Sequence, residues 1–290
     1  MANKAFNRVA LMIRENAPNH TQNLLHTIDQ LKQYVTVVVE QNSADQLDNY
    51  SGATAKSSEL NKHADLIIAI GGDGSLIHAA TIGLEQNLPV TGINRGRLGF
   101  LTDIHPDDTD MLLAIINGKY ITEERLLIEV TINKQNPVLA LNDVVLSPGM
   151  MSRMLEFEVQ IDGTLIYQQR ADGLIVATPT GSTAYALSGG GPILTPGLDV
   201  LTLVPMFPHK LTSRPIVIDA NSELQINIKH TADNHAQMSN DGYDGIMLDE
   251  GDNIYINKYH KKLQLIHPES YDYYSTLRDK LGWEKANTNK

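Results

Sequence analysis

Over the first hundred or so positions, short apolar runs alternate with segments whose apolar residues recur at helical spacing. Val9-Ala-Leu-Met-Ile13, Val35 to Val39, Leu66-Ile-Ile-Ala-Ile70 and Pro89 to Asn94 read as buried strands. Leu24, Leu25, Ile28 and Leu31 lie on one helical face, with Asn19 and Thr21 as candidate caps. Gln41 to Lys62 is polar and rich in Ser, Asn and Ala, which predicts a loop with at most one short helix. Ser75 to Glu85 and Pro106 to Tyr120 predict two further helices, the second with proline in its first turn. This alternation implies parallel βαβ units in a doubly wound sheet.

Beyond Ile121 the rhythm changes. Leu127 to Ile132, Leu139 to Leu146, Leu155 to Ile161, Thr164 to Gln168 and Leu174 to Ala177 follow one another as strand-like runs. Asp162-Gly163 between two of them is a hairpin signal. Ile216 to Ile218, Leu224 to Ile228, Asn253 to Ile256 and Leu263 to Ile266 add further strands, and crowded strands of this kind predict a mainly antiparallel β domain. Tyr271 to Trp283 returns to helical spacing. No internal repeat or low-complexity linker is visible. The expected division is an α/β domain over 1–120, completed by a C-terminal helix within 270–290, and a β-rich domain over 121–269.

Charge narrows the range of partners. Against 34 Asp and Glu stand 23 Lys and Arg in 290 residues, a net charge of −11. That balance argues against sequence-independent binding to nucleic acid or to an anionic membrane, both of which need a basic face. An anionic small ligand in a locally basic pocket remains compatible with it. There is no cysteine, so disulfides, thiolate metal sites and Cys nucleophiles are excluded. The polar stretch Met1 to Arg8 and the brevity of the Val9–Ile13 run do not make a signal peptide. No apolar stretch approaches the ~20 residues of a membrane helix. A cytoplasmic protein is the expectation.

Four segments could carry chemistry. Gly71-Gly72-Asp73-Gly74-Ser75 sits where a strand ends and a helix begins. Glycines permit a sharp turn and close ligand approach, and the helix start favours a phosphate. An acid among them needs a reason: it takes a proton from an attacking hydroxyl, or it holds a Mg²⁺ that bridges phosphates, or it shapes a tight turn. Asn94-Arg95-Gly96-Arg97-Leu98-Gly99-Phe100-Leu101 also follows a strand, and its forked arginine donors suit phosphate oxygens. Ligands sit outside these strand ends in an open parallel sheet.

The third segment, Leu141-Asn142-Asp143-Val144, interrupts an apolar run with an amide and a carboxylate. Such a pair can accept hydrogen bonds from ribose hydroxyls or an adenine amino group, or it can form an Asx turn at a strand start. The fourth combines Arg170-Ala-Asp172-Gly173, Ala177-Thr-Pro-Thr-Gly-Ser-Thr-Ala-Tyr185 and Ser188-Gly-Gly-Gly-Pro192. Small hydroxyl residues and glycines at this density read as a binding loop, with Tyr185 placed to stack on a base. The ten histidines show no His-x-x-x-His or Glu-x-x-His spacing, and His209 and His267 adjoin prolines, a structural context. No protein-only metal site is expected. The second glycine of a Gly-x-Ser-x-Gly nucleophile elbow is also missing around Ser182.

In this order the segments resemble the NAD kinase family, its bacterial branch in particular: Gly71 to Gly74, Gly92 to Leu101, Asn142-Asp143, Asp172-Gly173, Thr178 to Tyr185, Pro208-His209 and Arg214-Pro215. The first motif is shared with lipid kinases and phosphofructokinases, whereas Thr178 to Tyr185 is far more specific. The resemblance implies a Rossmann-like α/β domain followed by a sandwich-like β-rich domain. It implies transfer of the ATP γ-phosphoryl group to the 2′-hydroxyl of the adenosine ribose of NAD, with Mg²⁺ or another divalent cation, in a homodimer or homotetramer. It places Asp73, the proton acceptor, and Gly74 near the ribose, and gives Asn142 and Asp143 to the adenosine. Arg153, Arg170 and Asp172 help form the site, and Thr183, Ala184, Tyr185, Ala186, Leu187 and Ser188 line the nucleotide pocket. Gly71, Gly72, Gly74, Arg95 and Arg97 make the phosphate loop. Asp143 stands where the family usually has Glu, and Tyr243 where many relatives have Gln.

Two other functions stay open at this level. A diacylglycerol-type lipid kinase would share the Gly-Gly-Asp-Gly loop, although the net negative charge gives it no membrane-facing support. A non-catalytic NAD(P)-binding regulator would have no need of Asp73.

Overall fold

The computed structural model describes residues 5–14, 20–94, 99–149, 154–230, 236–243 and 245–283. The chain divides into two units, one made of Met1–Glu123 with Leu263–Lys290 and the other of Glu124–Lys262.

In the first unit the buried runs become a seven-stranded sheet, ordered Thr54–Ala55, Thr36–Glu40, Arg8–Ile13, Leu66–Ile70, Val90–Ile93, Leu263–Pro268 and Tyr120–Arg125. The pairings from Thr54–Ala55 through Leu263–Pro268 are parallel. Strands buried on both faces must be continuously apolar. Accordingly Val9, Leu11 and Ile13 share one core with Leu24 and Leu31 of the helix His20–Leu31, while Ala10, Met12, Ile67 and Ala69 are equally buried. Helix Asp73–Gln86 packs on Leu66–Ile70 and Val90–Ile93. A Cβ on Gly83 would stand 2.4 Å from the Val90 side chain, so glycine sets how closely that helix approaches.

Several expectations shift here. The helix expected over Pro106 to Tyr120 is Thr109–Ile116, because the Asp108 carboxylate caps it by accepting from the Met111 N–H at 3.0 Å. Pro106 lies in the preceding turn and Tyr120 begins a strand. Leu263–Pro268, read among the strands of the β-rich half, instead joins the parallel sheet beside Val90–Ile93. The polar stretch 41–62 holds the short α-helix Gln41–Ala44, a two-residue edge strand, the 3₁₀ turn Ser57–Glu59 and the start of the short α-helix Leu60–His63. Helix Tyr273–Leu281 ends the described chain, between an Asp272 cap and a left-handed Gly282.

The second unit is built from two six-stranded sheets. One runs Thr164–Ala171, Leu155–Ile161, Leu224–His230, Asn253–Lys258, Ile128–Ile132 and Val138–Ala140. The other runs Ile216–Asp219, Val200–Met206, Gly173–Ala177, Asp143–Pro148, Ala236–Asn240 and Ile246–Leu248. Both are antiparallel. Side chains alternate between faces along a strand, so Val144, Leu146, Leu174 and Val176 meet Phe157, Val159, Ile226 and Ile254 in one core. The intervening Val145, Ile175, Ala177 and Val204 point the other way and pack with Ala186. Asp162 and Gly163 both have positive φ, as a tight hairpin turn requires. Val200–Met206 escaped the sequence reading: its Pro205 is a residue seldom found inside a strand.

Candidate functional site

Two clusters of polar residues emerge, one in each unit. In the first, strand Leu66–Ile70 ends at Gly71, whose φ of 144° lies in the region that favours glycine. The Gly71 N–H bonds the Ile93 carbonyl at 2.9 Å, and Gly72 then caps helix Asp73–Gln86. The first turn of a helix this long leaves backbone N–H groups without intrahelical partners, at the positive end of the helix dipole.

Asp73 turns its carboxylate onto the chain 27–29 residues ahead. Oδ2 accepts from the Phe100 N–H at 2.9 Å; Oδ1 accepts from the Leu101 N–H at 3.1 Å and the Thr102 hydroxyl at 3.2 Å. The Asn94 amide donates to the same Thr102 hydroxyl at 2.8 Å, and the Asn94 N–H bonds Ile104 O at 2.7 Å. Asp73 therefore organises the segment after the arginine loop. Arg95 and Arg97 themselves lie outside the described residues, as does Arg153. Sequence reading missed Arg14, whose guanidinium nitrogen is 3.0 Å from where a Cβ on Gly74 would stand. Its signal was its place at the carboxyl end of the first strand.

The second cluster centres on a carboxylate that sequence reading passed over. Leu139 to Leu146, expected as one strand, is two, Val138–Ala140 and Asp143–Pro148. The break is made by Asp241, which accepts from the N–H groups of Leu141 at 2.8 Å, Asn142 at 2.7 Å and Asp143 at 3.2 Å. Asp241 and Gly242 both adopt positive φ in a tight turn, and the Asp-Gly dipeptide was the available signal. Tyr243 closes that turn through its N–H to Asn240 O at 2.9 Å.

Asp143 is buried beside Asp241. Desolvation first, and the Asp241 charge second, raise its carboxyl from the ordinary 3.8 to about 7. Burial also raises Asp241, against the three N–H donors that favour its ionised form. Asn142 keeps a buried Oδ1 with no hydrogen bond among the described residues. An unpaired acceptor beside a carboxyl that titrates near neutrality can meet both donors and acceptors on a ligand.

The segment after Gly173–Ala177 locks against this break. The Thr178 hydroxyl bonds Leu141 O, and the Thr178 N–H bonds Asn142 O at 2.8 Å. Ser182 Oγ accepts from Leu194 N–H at 3.0 Å and donates to Pro179 O at 2.6 Å. Thr178 and Ser182 are fully buried, so these hydroxyls hold the loop's shape. Thr180 Oγ1 accepts from the buried Arg125 at 3.5 Å, another residue the sequence did not single out.

What remains open to solvent is Tyr185 and Ser188, which line a cavity of about 540 Å³ with Phe207, Lys210 and Arg214. Thr183, Ala184 and Leu187 are half-buried beside them, whereas Ala186 packs in the core. Arg170 reaches Glu156 at 3.9 Å and borders a second depression with His209 and Lys210. Asp172 is exposed, its N–H bonded to Met206 O at 2.9 Å. Among the described residues, no three His, Cys, Asp or Glu side chains are grouped to hold a metal ion, and no helix is long and apolar enough to cross a membrane.

Comparison with known proteins agrees across both units. Residues 9–120 match the ATP-NAD kinase N-terminal domain and residues 141–268 the ATP-NAD kinase C-terminal domain. The NAD kinase of Coxiella burnetii (strain RSA 493 / Nine Mile phase I) is 49% identical over 97% of this chain and 96% of its own length. That of Ectopseudomonas mendocina (strain ymp) is 46% identical over 90% and 92%. A crystal structure of yeast NADH kinase complexed with NADH superposes with a TM-score of 0.85 at 25% identity, covering 97% of this chain and 89% of that one. An NAD kinase from Archaeoglobus fulgidus in complex with ATP gives 0.74 at 25% identity, covering 96% and 100%. The chain belongs to the NAD kinase family.

Proposed function

We propose that the protein phosphorylates NAD: it transfers the γ-phosphoryl group of ATP to the 2′-hydroxyl of the adenosine ribose, releasing NADP, ADP and one proton. The observation that carries this reading is the Asp73 carboxylate, held at a Gly-flanked helix start inside a chain that matches both ATP-NAD kinase domains.

Phosphoryl transfer has a loose transition state, so positioning and charge neutralisation outweigh base strength. A carboxylate offers about four lone-pair sites. Oδ1 of Asp73 uses two and Oδ2 one, which leaves Oδ2 able to orient the 2′-hydroxyl and accept its proton late. Gly71, Gly72 and Gly74 at the helix start, with Arg95 and Arg97, cradle phosphate oxygens. Asn142 and Asp143 hold the adenosine. Arg153, Arg170 and Asp172 help shape the site, Thr183 to Ser188 with Tyr185 line the nucleotide pocket, and Tyr243 adds a contact. A divalent cation enters on the substrate, as MgATP. We read the protein as cytoplasmic and as a homodimer or homotetramer; Phe207 and Leu211, 77% and 92% exposed, supply an apolar surface for a second copy.

The test is to incubate the purified protein with ATP, Mg²⁺ and NAD and measure NADP, for the wild type and for Asp73→Asn. NADP formation that drops at least about a hundredfold in the variant, with NAD affinity retained, is expected. No NADP from the wild type, or near-normal turnover in the variant, overturns the reading. Parallel incubations with NADH and with inorganic polyphosphate define acceptor and donor.

A further inference from the structure

His267 is fully buried in the first unit, at the end of strand Leu263–Pro268. Its Nδ1 lies 2.7 Å from Oδ2 of Asp103, and its Nε2 lies 3.3 Å from Oε2 of Glu123. Tyr271 stacks on the ring, with centroids 3.9 Å apart and planes at 10°. Nδ1 shares a short hydrogen bond with Asp103, and the Glu123 carboxylate lies within ion-pair range of Nε2. A fully buried polar ring needs a hydrogen-bond partner, and Asp103 supplies it.

The cluster is also connected. Asp103 follows Thr102, whose hydroxyl bonds Asp73, and precedes Ile104, which bridges Ile93. Residues 99–104 are thus gripped from one side by Asp73 and from the other, through Asp103, by His267. Glu123, from the strand on the far side of Leu263–Pro268 in the sheet order, faces the other ring nitrogen, and the Tyr271 ring stacked on the imidazole sets its plane.

We propose that His267 is a positioning residue for phosphoryl transfer, acting through Asp103 to hold the Gly99–Thr102 turn that seats the Asp73 carboxylate. The inference rests on the NAD kinase reading for its kinetic consequence, and on the geometry alone for its effect on the turn. Removing His267 takes away the ring nitrogen that holds Asp103 Oδ2; the turn then loosens, and the three donors that aim Asp73 lose their register.

The experiment uses the full chain as wild type, His267→Gln, Asp103→Asn and the double variant. Hydrogen–deuterium exchange of the peptide containing Phe100 and Leu101 reports the turn independently of activity. Faster exchange there in His267→Gln, with thermal unfolding still above assay temperature, is expected; exchange unchanged from the wild type overturns the proposal. In the NADP assay kcat should fall about tenfold with KM for NAD within about twofold. The double variant should be no worse than the more damaged single variant, because both break one linkage. A normal kcat, or losses that multiply, overturns it. If His267→Gln does not fold, Asp103→Asn must show the same faster exchange and kcat loss, and wild-type behaviour of that variant is equally fatal. A wild type that forms no NADP refutes the functional reading instead, and the exchange result still decides the role of His267.

Discussion

A Cβ atom on Gly99 would stand 1.8 Å from Oδ1 of Asp73 and 2.6 Å from Oγ1 of Thr102. The carboxylate and the backbone ahead of it are in a contact that leaves no room for a side chain. Gly99→Ala must therefore push Asp73 out of its three hydrogen bonds. Turnover to NADP is expected to fall at least about tenfold, with thermal stability lowered as well, since Gly99, Leu101 and Thr102 are buried. Steady-state kinetics beside a melting curve checks this. Unchanged turnover would show that Asp73 does not depend on that turn.

Asp241 offers the corresponding experiment in the second unit. Its carboxylate accepts from three consecutive N–H groups, those of Leu141, Asn142 and Asp143. Asparagine has one acceptor oxygen and places an NH₂ group against one of those donors. Asp241→Asn should cost about 2 kcal/mol or more in urea unfolding, because a buried donor is left unpaired. The same variant should raise KM for NAD more than it lowers kcat, since Asn142 and Asp143 move with the break. A loss under about 0.5 kcal/mol would contradict the assigned bonding.

Asp143 predicts a pH dependence. Its carboxyl is raised to about 7, chiefly by burial and then by the Asp241 charge, so the folded state binds this proton more tightly than the unfolded chain does. The stability it contributes is complete below about pH 4 and is lost as pH rises toward and through 7. Asp143→Asn cannot ionise. It should match the wild type near pH 4 and exceed it by a few kcal/mol near pH 8. Denaturant titrations at the two pH values decide the matter, and parallel stability curves would contradict it.

Gly181 lies where a Cβ would meet the Asn142 carbonyl oxygen at 2.0 Å. Backbone cannot yield as a flexible side chain can. Gly181→Ala should destabilise the protein by about 2 kcal/mol and weaken NAD binding together with it. Isothermal titration alongside urea unfolding tests both. Intact affinity in a destabilised variant would separate the loop from the ligand.

Much of the architecture is legible locally. Leu66–Ile70 and Leu155–Ile161 form as their apolar pattern predicts, and Asp162-Gly163 turns where the dipeptide says it should. Buried strands need apolar runs, tight turns need residues that tolerate positive φ, and both demands are met within a few neighbouring positions. The order of the glycine-rich and hydroxyl-rich motifs is legible too, and it leads to the same family as the full-length comparisons.

What the chain alone could not decide is where its carboxylates and ring nitrogens point. Asp73 looks like an open base in a loop, yet both its oxygens hold residues 27–29 positions further on. Asp241 splits an apolar run about a hundred residues upstream, and His267 reaches across 164 residues to Asp103. Leu263–Pro268 reads as one more strand of the β-rich half until the parallel pairing of Leu265 with Val90 places it elsewhere. Periodicity reports which face of an element is buried. It carries no record of which distant backbone donor or ring nitrogen a buried carboxylate will meet, because that is settled only when sequence-remote segments pack together and each buried polar group must find a partner.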